Sequence, residues 1–171
     1  MSKLLRALLL TIPAMVSSAT ADEFTLDGER LELRAQARVC YLGIVKLYDI
    51  DYMRQPGHAD TAARCVRLSY LRDISAPTLA KATRQTFEEL HGSDAAAQYQ
   101  AWLQRIGLAY EPVRPGDRYT YCVDPNARGV LLRDDQEVVR ITSADFAERF
   151  LQIWVAAEDH DQKPAWRFDP C

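Results

Sequence analysis

Between Phe24 and Leu71 the chain carries long runs in which apolar and polar residues alternate, the period of half-buried strands. Asp27-Gly28 separates the first two runs and predicts a tight hairpin, because both central residues of such a turn need positive φ. In the second arm Leu31, Leu33, Ala35, Ala37, Val39 and Tyr41 share one face, and Glu32, Arg34, Gln36, Arg38 and Cys40 share the other. Gly43 marks a break or bulge before a further strand over residues 44–52. Gln55-Pro56-Gly57-His58 reads as a turn. Residues 65–71 form the next strand, with Val66, Leu68 and Tyr70 on one side.

The period then changes to helical. Ser75 is placed to cap a helix whose first turn holds Pro77, and Leu79, Ala82, Thr83, Thr86, Phe87 and Leu90 recur at helical spacing up to Gly92. Asp94 opens a second helix with Tyr99, Trp102, Leu103 and Ile106 as its buried stripe, closed by Gly107. Pro115-Gly116-Asp117 turns the chain into a strand over 118–123, and residues 129–133 and 136–141 form a hairpin around Asp134-Asp135. A last helix is expected from Ser143 to about Ala156, with Phe146, Phe150, Ile153 and Trp154 on one side. A polar tail over 158–171 is expected to lie on the surface. Hairpins imply an antiparallel sheet, and the amphipathic helices need one of its faces, so the class is α+β.

The N-terminus changes the setting. Lys3 and Arg6 precede a short apolar run over 7–16, and Ala19-Thr20-Ala21 offers a small-residue cleavage pattern, so residues 1–21 read as a signal peptide and the product as periplasmic. That run is interrupted by Pro13 and is too short to span a bilayer, which needs roughly 20 apolar residues. Residues 22–171 then form one domain with no integral membrane span. Its 19 basic and 24 acidic residues give a net charge of −5 after Lys3 and Arg6 are removed, which offers no attraction to nucleic acid. Cys40, Cys65, Cys122 and Cys171 all lie in this domain, where an oxidising compartment favours disulfides; three full pairings are open.

Three stretches resemble the bacterial chalcone isomerase-like family. They are Ala37-Arg-Val-Cys-Tyr-Leu42 with Lys46-Leu-Tyr-Asp-Ile-Asp-Tyr52, then Leu68-Ser-Tyr-Leu-Arg-Asp-Ile-Ser75 before a helix, and an ending of Gly116-Asp-Arg118 and Ile141-Thr-Ser-Ala-Asp-Phe-Ala-Glu-Arg-Phe-Leu-Gln-Ile-Trp154. The resemblance covers most of residues 24–155. It implies a long, curved antiparallel sheet with helices layered on one face and a ligand cleft between them. Plant enzymes of this fold close a chalcone into a flavanone, while other branches bind fatty acids without catalysis.

The resemblance also implies an early-strand arginine that meets an anionic ligand group beside a tyrosine. By position these are Arg38 and Tyr48. A guanidinium suits that task as a permanent charge with a planar fork of donors. Alternation sets Arg38 opposite Val39 and Tyr41, so a cleft position requires a change of phase at Gly43 or at a bulge. Tyr52 and Tyr70 are further candidates for the cleft wall. The threonine run that flanks the reacting oxygen in the plant enzymes is missing from residues 41–52. His58, His91 and His160 are scattered, and no metal motif, nucleotide loop or nucleophile motif occurs, so no catalytic residue, metal or cofactor is assigned. Three functions stay open: a carrier of a small amphipathic molecule, an isomerase of a phenolic enone, and a structural envelope protein with a filled cleft.

Overall fold

Two adjacent aspartates, or an aspartate and a glycine, make two of the tight hairpin turns of this protein. Asp27 and Gly28 take φ of 50° and 86°, and Asp134 and Asp135 take 45° and 67°. Aspartate tolerates this region because its short side chain bonds locally, and glycine because it has no Cβ. The computed structural model describes residues 24–57, 61–159 and 161–171. The expected signal peptide and two of the histidines, His58 and His160, lie outside the described residues.

The strands β1 (Phe24–Leu26), β2 (Glu29–Tyr41), β3 (Val45–Arg54), β4 (Arg64–Tyr70), β5 (Arg118–Val123), β6 (Gly129–Arg133) and β7 (Gln136–Ile141) form one antiparallel sheet in chain order. Helices α1 (Ala76–His91), α2 (Ser93–Gln98) and α3 (Gln100–Ala109) fill the connection between β4 and β5, and α4 (Ala144–Leu151) follows β7. Ser75 caps α1 by accepting from the Thr78 amide at 3.3 Å, as its position predicts. The main core lies between sheet and helices, where Ile50, Tyr52, Val66 and Tyr121 meet Phe87, Ile106, Phe146 and Phe150. This is the sheet with helices layered on one face that the sequence leads one to expect.

The other face carries a smaller cluster. Phe24, Leu26 and Leu31 pack there with Met53, the Cys65–Cys122 disulfide, Val130 and Leu132. Leu31 and Ala35 therefore face opposite ways, although the sequence alternation puts them together. A bulge explains the difference: Leu33 pairs with Met53 and Ala35 with Tyr52, so Arg34 is an extra residue that inverts the phase.

Three helical expectations change. The second helix is broken at Tyr99 into α2 and α3. Gly107 does not close it but lies within α3, where a Cβ would come within 3.3 Å of Ala80 on α1; its role is close helix packing. The last helix stops at Leu151, and Val155–Glu158 (β8) instead pairs with Pro164–Trp166 (β9). The tail is accordingly no loose surface strap. Trp166 and Phe168 pack against the core, and Cys171 is bonded to Cys40 on β2.

Candidate functional site

One hollow opens between the sheet and α1, with a volume of about 560 Å³. Its floor is the inner side of β3 and β4, and α1 supplies the roof through Leu79, Ala82, Thr83 and Thr86. Ile153 and Trp154, in the turn after α4, form a side wall. The floor depends on a second bulge. Val39 pairs with Tyr48 but Cys40 pairs with Lys46, which leaves Leu47 as the extra residue. Val45 and Tyr48, three positions apart, both reach the hollow because of it.

Tyr48 and Tyr70 are brought together there, with ring centroids 5.7 Å apart and edge-on. The aromatic row continues from Tyr70 to Tyr119 and from Tyr119 to Tyr110. Tyr110 also lines the hollow, and its hydroxyl lies 3.0 Å from Thr83 Oγ1. Burial pushes the Tyr48 phenol up to about 12, against an opposing hydrogen bond from Trp154. Burial likewise holds Tyr70 well above the ordinary tyrosine value, reinforced by Tyr110, Tyr48 and Tyr119. Burial raises Tyr110 as well. At neutral pH these are uncharged hydroxyls on an apolar wall, able to donate or accept a hydrogen bond.

Tyr52 lies elsewhere. It is fully buried under β8, and its hydroxyl donates to Glu158, which also accepts from Arg54. It supports the core rather than the hollow.

Arg38 corrects the expectation that it enters the cleft. Nε and Nη2 donate to Asp49 at 2.5 and 2.9 Å, across the directly paired β2–β3 position. This fork lies on the outer face beside Gln36, which donates to Asp51 at 2.8 Å. The reason is phase. The bulge at Arg34 precedes Arg38 and the bulge at Leu47 lies beyond Asp49, so strict alternation holds between them. Ala37 and Val39 turn inward, and Arg38 turns out. The hydrogen bond from Arg38 holds the Asp49 carboxyl below its ordinary range.

The cation at the hollow is Arg72, which sequence reasoning did not single out. It lines the mouth beside Asp73 and has no hydrogen bond or ion pair among the described residues. Backbone bonds fix the segment that carries it. The Leu71 amide donates to the Leu47 carbonyl at 2.9 Å, and Ile74 and Val113 bond each other reciprocally. A signal existed: Arg72-Asp73 stands between the end of a strand and a helix cap, where binding side chains concentrate.

Both disulfides are formed. Cys65 and Cys122 stand directly opposite each other on β4 and β5, and Cys40–Cys171 ties the tail to the β2 end. Among the described residues no group of His, Cys, Asp and Glu is clustered to hold a metal ion, and no helix is long and apolar enough to cross a membrane. His91 packs on Phe87 and bonds the Arg149 carbonyl at 2.9 Å through Nε2, a structural placement.

A fatty-acid binding protein of Arabidopsis thaliana has a similar crystal structure, with a TM-score of 0.59 at 12% sequence identity; the likeness covers 78% of this chain and 83% of that one. No curated protein matches this chain in sequence. The family model described as chalcone isomerase-like matches residues 16–163. With that match running through β1 to β8 and the sheet, helices and cleft arranged as described, this chain belongs to the chalcone isomerase-like family.

Proposed function

We propose that this protein is an exported, non-catalytic carrier that holds a small amphipathic acid, such as a fatty acid or an aromatic acid, between the sheet and α1. The observation that carries this reading is the apolar hollow of about 560 Å³ with the Arg72 guanidinium at its mouth, which has no ion-pair partner among the described residues. Sites for small ligands span roughly 300–1,000 Å³ and combine apolar walls with a few placed polar groups. Leu47, Leu68, Leu79 and Ile153 provide the wall for a hydrocarbon chain or ring. Arg72 offers the fork for a carboxylate, and the neutral Tyr48 and Tyr70 hydroxyls add donors without repelling an anion. The ligand class named for the Arabidopsis protein supports the same choice.

The isomerase reading is less favoured because the phenols stay protonated far above neutral pH, so none is a ready base. The structural reading needed a filled cleft, and the open volume argues against it. Equilibrium dialysis against labelled palmitate tests the proposal. The mature chain should retain ligand, Arg72→Ala should weaken retention by about tenfold or more, as loss of a charge-assisted bond does, and Arg38→Ala should leave it unchanged. No retention by the wild type, or equal losses in the two variants, would overturn the proposal.

A further inference from the structure

The turn between β2 and β3 differs from its counterparts. Leu42 and Gly43 take φ of 51° and 72°, the positive pair that Asp27-Gly28 and Asp134-Asp135 adopt in the other tight hairpins. Leucine is a poor choice there, because its side chain gains no local hydrogen bond to offset the left-handed backbone. Folding gives no return for it either. Leu42 is 77% exposed, Ile44 80% and Tyr41 61%, so an apolar tip projects into solvent. The Cys40–Cys171 disulfide anchors its base.

This tip is continuous with the hollow. Tyr41 and Val45 flank it on the paired strands, and both line the cleft. An apolar track therefore runs from Ile44 and Leu42, past Tyr41 and Val45, to Leu47 and Tyr48 inside. Lys46 stands one residue behind on the exposed side, where its amine can reach headgroups while its stem covers apolar surface. Tyr41 has the amphipathic ring favoured at a membrane–water boundary.

We infer that Tyr41, Leu42 and Ile44 form a wedge that docks on the surface of a phospholipid bilayer, so that an amphipathic ligand passes between membrane and cleft along this track. A protein partner fits less well, since a stable interface buries about 800 Å² on each side and this tip is a single short turn. The inference rests on the carrier reading for its purpose, but its test does not. Flotation of the ligand-free mature chain with vesicles of phosphatidylethanolamine and phosphatidylglycerol should show association. The double variant Leu42→Asn and Ile44→Ser should lose at least about tenfold in vesicle affinity, since each buried apolar side chain is worth that much. Asparagine suits positive φ, so the variant should melt no lower than the wild type. Palmitate retention in vesicle-free buffer should be unchanged, because neither residue lines the cleft. Absence of wild-type vesicle binding, or equal binding by the double variant, would overturn the wedge; capture of a protein on the tip with no vesicle binding would do so too. Failure of palmitate retention alone would instead count against the carrier.

Discussion

The two faces of the β2–β3 pair use polar side chains in opposite ways. On the outer face Arg38 is engaged by Asp49 and Gln36 donates to Asp51 across the strands, so the strand guanidinium is already committed. On the inner face Tyr48 and Tyr70 present neutral hydroxyls to an apolar hollow, and the cation is supplied from beyond the strand end by Arg72. A guanidinium with a carboxylate at 2.5 Å is already spent, whereas one at a cleft mouth with no partner among the described residues is available. The difference teaches that an arginine's neighbours across the sheet decide its use more than its place in a motif.

The strongest way to break the inner face is through its packing. Phe146 is fully buried among Phe87, Tyr99, Trp102 and Phe150. Phe146→Ala should destabilise the protein by about 3–5 kcal/mol in urea unfolding, because the rings around it cannot all collapse into the space. The next effect is on the tail. Cys40→Ser with Cys171→Ser should cost about 2–5 kcal/mol, since the bond closes a loop spanning 131 residues of sequence. A stability change near zero for that pair would show that β8–β9 pairing alone holds the tail.

The phenols of the inner face predict an alkaline limit. Tyr48 ionises near 12 in the folded state against an unfolded value of about 10, so below 10 both states are protonated and nothing changes. Above 10 the unfolded chain loses protons that the folded chain keeps, and stability falls as pH rises towards 12. Absorbance of tyrosinate should therefore show a class of phenols that titrates only with unfolding. An ordinary titration of every tyrosine would contradict a buried inner row. The smallest effect belongs to the outer face: Asp49→Asn should leave melting and palmitate retention close to wild type, as exposed ion pairs contribute little. A large loss of retention would erase the division between the faces.

Much of the fold is legible in the sequence. Asp27-Gly28, the alternating arms, the Ser75 cap and the hairpin at Asp134-Asp135 are local signals, and the chain obeys them. The last helix ends at Leu151, short of what its spacing predicts, for a physical reason. Phe146, Phe150, Ile153 and Trp154 keep helical spacing through a turn that still contains αR geometry at Gln152. The departure at Val155 is set by pairing with β9 and by docking of Trp166, contacts that no window of sequence contains. Arg38 was misplaced as a ligand contact because a resemblance reports position along a strand, whereas facing depends on bulges.

By itself the sequence determined the strand and helix periods, the tight turns, the cysteines available for bonding and the family. Tertiary structure alone decided which cysteines meet, which way each strand face points and which cation stands at the cleft. Local pattern sets backbone conformation through steric and solvation preferences of neighbouring residues. Facing and pairing depend on register between distant segments, where one extra residue, Arg34 or Leu47, inverts everything that follows it.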